Sequence, residues 1–188
     1  MYTGMRKGEI LGLKWKNCDL ENARLSVSQT SLSKVKEGLV FQEPKTKGSK
    51  RTISLPSFAV QCLKKHKALQ DELKLKFGNA YEDNDLVVAS GLGRPIDPAD
   101  INRDMKYVIK KYNLPPISFH DLRHTHATTL LLLGENPKVV SERLGHANVG
   151  ITLDTYSHVL PDMQKDLAKN FDQAMKKLES KREGFKSV

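Results

Sequence analysis

The greatest concentration of reactive side chains in this sequence is the segment HDLRHTH at residues 120–126. Residues three positions apart on a helix share a face, so His120 and Arg123 would present an imidazole and a guanidinium to the same ligand. A phosphodiester fits this pair, because a guanidinium can bind two non-bridging oxygens while an imidazole donates to a third. The same side chains could equally donate to carbonyl groups at the start of a helix, and the pair alone does not decide between these interpretations.

A metal site is the other chemical interpretation of this segment. His120 and His124 are four residues apart, as in zinc-binding helices with the HExxH pattern. However, Asp121 stands where that pattern has its catalytic glutamate, and Arg123 would place a fixed positive charge beside the cation. We therefore predict no metal, and a metal-dependent hydrolase that uses His120, His124 and His126 remains an alternative hypothesis.

The elements that must position these residues are mostly helices. Capping residues and apolar periodicity predict helices at 3–13, 57–78, 97–112, 118–134, 136–145 and 151–156, with a final helix beyond Pro161. Strands are predicted at 24–29, 39–43, 51–55 and 86–89, and a lysine-rich loop at 45–50 is expected to join the second and third as a hairpin. The sequence thus predicts an α+β fold: a mostly helical domain with a small antiparallel three-stranded sheet near the N-terminus.

The overall charge favours a polyanionic partner. The 188 residues include 31 Lys and Arg against 22 Asp and Glu, which gives a formal net charge of +9. Such a balance suits a nucleic acid or an anionic membrane surface. No apolar run reaches the roughly 18 residues of a membrane span, and Cys18 and Cys62 form no CxxC motif or disulfide framework. We expect a cytoplasmic protein that does not enter a membrane.

Four motifs, taken in order along the chain, carry a resemblance to a known family. They are TGMRKGEILGL with Arg6, PKTKGSKRTI with Lys45, HDLRHTHAT with His120 and Arg123, and LGHANVGITLDTY with His146 and Tyr156. With these motifs the chain resembles the catalytic domain of tyrosine recombinases of the phage-integrase type, from Thr3 to about Leu178. The resemblance implies the fold of the DNA breaking-rejoining enzymes and a site-specific recombinase that uses no cofactor.

The resemblance assigns chemical roles to the motif residues. Tyr156 would be the nucleophile that attacks a DNA phosphate and forms a 3′-phosphotyrosine. Arg6 and Arg123 would bind that phosphate and stabilise the negative charge that builds up in the transition state. His120 and His146 would donate hydrogen bonds to the same centre or move the tyrosine proton.

Other residues of the motifs are given supporting roles. Lys45 would protonate the departing 5′ oxygen, with Lys47 as the alternative lysine. Glu9, one helical turn after the first arginine, would orient it. Lys47, Lys50 and Arg51 are expected to contact DNA. The remaining histidines of the chain, His124, His126 and His158, are interpreted as structural.

The resemblance also implies domains and partners. Residues 1–178 are expected to form the catalytic domain, without the arm-type or core-binding region that precedes it in full-length members, and residues 179–188 a flexible basic tail. The partner would be double-stranded DNA at attachment sites, bound by a homotetramer in a bacterial host. The final helix carries an apolar stripe, Leu167, Phe171, Ala174 and Leu178, that packs either on its own domain or on a neighbouring protomer. The alternative to an active recombinase from a phage or other integrative element is a catalytically silent DNA-binding remnant.

Overall fold

A computed structural model of the chain describes residues 2–27, 31–35, 38–42, 50–157, 165, 167–176 and 178. Its helices are α1 (Lys7–Leu11), α2 (Ser57–Phe77), α3 (Pro98–Lys111), α4 (Phe119–Leu132), α5 (Pro137–Leu144) and α6 (Val149–Tyr156). Short 3₁₀ turns lie at Trp15–Asn17 and Gly78–Ala80, and residues 165, 167–176 and 178 are helical. The predicted α+β class is confirmed, with the helices making up most of the structure.

The three-stranded antiparallel sheet consists of β1 (Cys18–Asp19), β2 (Arg24–Val27) and β5 (Arg51–Ser54), in the order β1-β2-β5. Its register pairs Leu25 with Ile53, so that the alternating apolar side chains of both strands point into one core. A separate hairpin pairs β3 (Ser31–Val35) with β4 (Gly38–Gln42).

Three strand predictions were wrong. The strand predicted at 39–43 pairs with Ser31–Val35, whereas the strand predicted at 51–55 pairs with Arg24–Val27. No strand was predicted at Cys18–Asp19, which forms β1. The segment predicted as a strand at 86–89 makes one isolated bridge, between Lys14 and Leu86. Strand partners depend on contacts between distant parts of the chain, which local patterns do not contain.

The helix ends follow local capping rules. The side chains of Asp97, Ser118, Asn136 and Asn148 each accept a hydrogen bond from a backbone N–H in the first turn of the next helix. The helix predicted at 3–13 begins later than expected, after Arg6, whose backbone N–H donates to the Glu9 carboxylate at 2.8 Å. Glu9 therefore fixes both the start of α1 and, as described below, the side chain at that start.

Two apolar clusters hold the elements together. One lies between the sheet and α2 and consists of Met5, Leu13, Trp15, Leu25, Val27, Ile53, Leu55 and Val87. The other joins α4, α5 and α6 and consists of Ala127, Leu131, Val140, Leu144 and Tyr156. Within the residues described above, no helix is both long and apolar enough to cross a bilayer.

Candidate active site

A cavity of about 690 Å³ opens where α1, α4, α5 and α6 converge. Its lining includes five of the six side chains to which the sequence assigned catalytic roles: Arg6, His120, Arg123, His146 and Tyr156. The sixth, Lys45, and its alternative, Lys47, lie outside the described residues. Side chains separated by up to 150 positions in the sequence therefore face one space.

Arg123 is the most rigidly held cation of this cavity. Its side chain is buried, and its two terminal nitrogens donate to the carbonyl oxygens of Gly4, at 2.6 Å, and Leu144, at 2.8 Å. Burial and the positive charge of Arg6 lower its pKa to about 10, which leaves it protonated at neutral pH. The position of this positive charge is fixed before any ligand arrives, and such preorganisation favours a transition state that gathers negative charge.

Arg6 lies at the mouth of the cavity, and its side chain is 48% exposed. It donates from Nη1 to the Glu9 carboxylate at 3.0 Å and from Nη2 to the Gly145 carbonyl at 3.1 Å. The contact that the sequence predicted between Glu9 and Arg6 is thus present. Burial raises the pKa of Glu9, but the hydrogen bonds and charges of Arg51 and Arg6 outweigh that effect, and the pKa lies below its usual value. Glu9 is therefore ionised when it orients Arg6.

Arg51 has a different position from the one that the sequence predicted. Its side chain is only 7% exposed, and both terminal nitrogens donate to Glu9, at 3.0 and 2.7 Å. Its Nε donates to the carbonyl of Arg143 at 2.8 Å. These bonds tie α1, β5 and the end of α5 together, so Arg51 supports the site from inside the domain instead of standing free for DNA. The alternation of β5 indicates this arrangement, because Arg51 lies on the same face as the buried Ile53. The neighbouring Lys50 is exposed.

Tyr156 ends α6 with its side chain almost completely buried, and its hydroxyl lies 2.8 Å from Nδ1 of His124. Burial raises the pKa of Tyr156, and the charge of Arg123 offsets only part of this effect. The phenol therefore keeps its proton at neutral pH. A tyrosine in this state needs a proton acceptor before it can act as a nucleophile.

His124 is a cavity residue that the sequence interpretation missed. Its ring packs edge-on against both His120, at 4.4 Å between ring centroids, and Tyr156, at 5.6 Å. Burial lowers the pKa of His124, and the neighbouring His120 and Arg123 lower it further. The spacing of four residues between His120 and His124, which the sequence offered as a metal motif, was the signal that both rings occupy one face of α4.

His146 follows the end of α5 and is held by a residue that the sequence did not single out. Its Nδ1 lies 2.8 Å from the hydroxyl of Thr152, which is completely buried. Burial, together with the charges of Arg123 and Arg6, lowers the pKa of His146 to about 4. The imidazole is therefore neutral at pH 7 and has one N–H to donate.

His126 does not join this cluster. His126 accepts a hydrogen bond from Nε of Arg143 at 3.0 Å, and burial and the charge of Arg143 lower its pKa to about 4. Its ring packs under Gly4, where an added Cβ would lie 2.6 Å away. Among the described residues, no group of three or more His, Cys, Asp or Glu is arranged to hold a metal ion. His158 lies outside those residues.

Two further cavities extend the site on either side. One, of about 490 Å³, shares Gly145 and His146 with the central cavity and reaches Lys50. The other, of about 400 Å³, shares Arg6, His120 and Arg123 and reaches Lys7 and Asn102. Because the outer cavities share lining residues with the central one, we treat the three as one groove, and each of them is lined by cationic side chains. This shape suits an extended polyanion better than a small ligand.

Comparisons with known proteins agree with this geometry. The model of the phage integrase family matches residues 1–163 of the chain. A XerC-like tyrosine recombinase of Caldanaerobacter subterraneus subsp. tengcongensis is 39% identical over 171 residues, which cover 85% of this chain and 44% of the relative. The ICEBs1 integrase of Bacillus subtilis is 34% identical over 173 residues, covering 92% of this chain and 46% of the relative.

A similar fold is found in a solved structure of the Tn1549 transposon integrase in complex with circular intermediate DNA. The TM-score is 0.74 at 27% identity, over 90% of this chain and 56% of that one. The chain thus spans about half the length of the curated relatives that it matches.

Proposed function

The chain belongs to the phage integrase family, and from this membership we propose that it is the catalytic part of a site-specific DNA recombinase that works through Tyr156. The observation that carries the proposal is that Tyr156 lines one cavity together with two arginines and two of the predicted histidines. Residues 1–178 form the catalytic domain in this proposal, and the chain acts in the bacterial cytoplasm.

The arginines bind the phosphate to be attacked. Arg6 and Arg123 donate to its non-bridging oxygens, and their fixed positions stabilise the extra negative charge of the transition state more than the ground state. His120 and the neutral His146 add donors around the same phosphate. These cations and donors neutralise the phosphate without a metal ion.

The strand is cut by exchange of one phosphate ester for another. The Tyr156 oxygen loses its proton and forms a bond to phosphorus, while the bond from phosphorus to the 5′ oxygen breaks. The 5′ oxygen takes a proton from Lys45 or, alternatively, Lys47. The product is a 3′-phosphotyrosine and a free 5′ hydroxyl, and because the ester bond is conserved, the reverse reaction with a new 5′ hydroxyl rejoins strands without ATP.

Double-stranded DNA lies along the groove in this proposal, with Lys50 beside one end of it. The names of the similar proteins, an ICEBs1 integrase and a transposon integrase in complex with circular intermediate DNA, support an origin in an integrative mobile element. The net charge of +9 supports a polyanionic substrate.

The final helix is proposed to dock on a neighbouring protomer within a DNA-bound tetramer. In the described structure, Leu167, Phe171 and Leu178 of this helix are all more than half exposed. An exposed apolar stripe of this kind is typical of a surface that a partner covers, which favours docking on a second copy over packing on the same domain.

The experiment that tests the function is covalent trapping on nicked DNA that carries the ends of the parent element. Cleavage next to the nick releases a short 5′-hydroxyl fragment and leaves the protein attached to the DNA. We expect an adduct that resists denaturing electrophoresis with the unchanged chain and none with Tyr156→Phe. Binding without any adduct would instead support the silent DNA-binding remnant.

A further inference from the structure

His124 lies in the candidate active site although no motif role was assigned to it. It is the residue whose ring nitrogen meets the hydroxyl of Tyr156, at 2.8 Å. His120, which the resemblance placed next to the reaction centre, packs instead against the His124 ring, with 4.4 Å between the ring centroids, and the ring contact to Tyr156 is made by His124. The order of the three rings is therefore His120, His124, Tyr156.

Resting on the function proposed above, we infer that His124 is a catalytic residue that holds the Tyr156 hydroxyl and accepts its proton during attack on the phosphate. Two rigid helices fix the pair. His124 lies in the second turn of α4, and Tyr156 is the last residue of α6, with its ring in the apolar cluster that α4, α5 and α6 share. The contact therefore does not depend on a loop.

The electrostatic surroundings suit a proton acceptor. The charged and titratable groups around His124 are Arg6 at the start of α1, His120, Asp121 and Arg123 on α4, His146 after α5, and Tyr156 on α6. Burial, His120 and Arg123 lower the pKa of His124 more than Asp121 raises it, so the imidazole is neutral at pH 7. Arg123 cannot take the proton, because it is already protonated.

The step conserves protons and electrons. In this step His124 starts as the neutral tautomer with its hydrogen on Nε2. The O–H bond of Tyr156 breaks, its proton moves to Nδ1 of His124, and the ring becomes an imidazolium. The freed electron pair of the phenol oxygen forms the bond to phosphorus, and the bond to the 5′ oxygen breaks. In strand joining, the same imidazolium returns its proton to the departing tyrosine.

The test compares His124→Asn and His124→Ala with the unchanged chain in single-turnover cleavage of nicked DNA. Asn keeps a hydrogen-bond acceptor near the position of Nδ1 but cannot take a proton. We expect both variants to cleave about 100-fold more slowly or worse, the usual effect of losing a general base. His126→Gln, on the same helix, is the matched control, because it keeps the acceptor for Arg143 and should cleave at the original rate.

A second substrate, with sulfur in place of the bridging 5′ oxygen, separates the two ends of the reaction. A thiolate leaves without needing a proton, so this substrate restores the cleavage rate of variants that lack the acid for the leaving group. We expect no such restoration for His124→Asn. Restoration, or an unchanged rate of His124→Asn on ordinary DNA, would overturn the inference.

The pH profile of the unchanged chain tests the inference without any variant. The cleavage rate should rise with pH through a group whose pKa lies below 6.5 and then level off. A rate that keeps rising into the range where free tyrosine ionises would contradict the role of His124. If the unchanged chain forms no Tyr156-dependent adduct, the proposed function fails; if it does and His124→Asn is as fast, only this inference fails.

Discussion

At the scale of single residues, positive charge in and beside the site is held by arginines, whereas His124 and His146 in the site and His126 beneath it have lowered pKa values. Arg123 stays protonated although burial lowers its pKa to about 10, whereas burial and nearby arginines lower the pKa values of His126 and His146 to about 4. Charge stabilisation and proton transfer are thus divided between two residue types. The neutral imidazole of His146 is oriented by the hydroxyl of Thr152.

The buried Thr152 is predicted to act through His146. We expect Thr152→Val, which has the same shape but no hydroxyl, to lower the single-turnover cleavage rate about tenfold, because His146 loses the hydrogen bond that fixes its ring. Thr152→Ser restores the hydroxyl and should recover most of the rate. If Ser and Val behave alike, the shape of residue 152 matters and its hydrogen bond does not.

The lowered pKa values of the histidines also predict an acid-sensitive fold. Well above pH 6.5, His126 is unprotonated in both the folded and the unfolded chain. As the pH falls below 6.5, His126 becomes protonated in the unfolded chain, whereas in the folded chain it stays neutral down to about pH 4. The free energy of unfolding should therefore fall by about 2 kcal/mol for this histidine between pH 7 and pH 5. His126→Gln, measured by urea unfolding at both pH values, should show a smaller fall by that amount. An equal fall in both proteins would refute the assignment.

What the sequence could predict at this scale depended on motif spacing. Arg6, His120, Arg123, His146 and Tyr156 were expected around one centre, and the structure brings them to one cavity. The contact between His124 and Tyr156 could not be predicted, because it depends on the distance between α4 and α6. The buried position of Arg51 was hidden for a related reason, since its partner Glu9 lies 42 residues away.

At the scale of elements, the end of α5 is the junction that connects the core to the site. Gly145 ends α5 in the left-handed region, with φ of 71°, and its carbonyl accepts from Arg6. A Cβ at this position would lie 2.6 Å from the Arg51 guanidinium, which itself binds Glu9 and the carbonyl of Arg143. The backbone turn and the packing of Arg51 therefore require the same glycine.

A pair of glycine substitutions separates these two requirements. Gly134 follows α4 with φ of 83°, and an added Cβ would meet nothing within 4 Å. Gly134→Ala should therefore lower the free energy of unfolding by only the backbone strain, about 1 kcal/mol. We expect Gly145→Ala to lower the free energy of unfolding by about 2 kcal/mol more than Gly134→Ala, because it also displaces Arg51. It should also slow cleavage, because Glu9 and Arg6 are displaced together with Arg51.

Thermal and urea unfolding of the two variants, together with adduct formation, measure this difference. Equal losses of stability would mean that Arg51 moves aside at no cost in free energy and that this junction is not rigid.

At the scale of elements, the sequence predicted helix starts well, because caps such as Asp97 and Ser118 act within a few residues. It predicted strand partners poorly, because Arg51–Ser54 pairs with a strand 24 or more residues earlier.

At the scale of the whole molecule, the net charge of +9 and the groove over the site predict binding dominated by phosphate contacts. Each phosphate neutralised releases counterions, so the logarithm of affinity should fall linearly and steeply with the logarithm of salt concentration. Lys50→Gln, at one end of the groove, should reduce this slope by about 1. Lys65→Gln, on the exposed surface of α2, is the matched control and should leave it unchanged. A flat salt response in fluorescence anisotropy would count against the groove as a DNA surface.

The final helix is predicted to take part in assembly on DNA. Phe171 lies on the exposed apolar stripe, whereas Gln173 is exposed on another face of the same helix. Phe171→Glu and Gln173→Glu introduce the same charge, but only the first places it where a neighbouring protomer is proposed to bury the stripe. In sedimentation velocity with duplex DNA, we therefore expect Phe171→Glu to remove complexes larger than one protomer per site and Gln173→Glu to keep them. Identical assembly of the two variants would mean that the stripe takes no part in contacts between protomers, and that any tetramer on DNA is held by other surfaces.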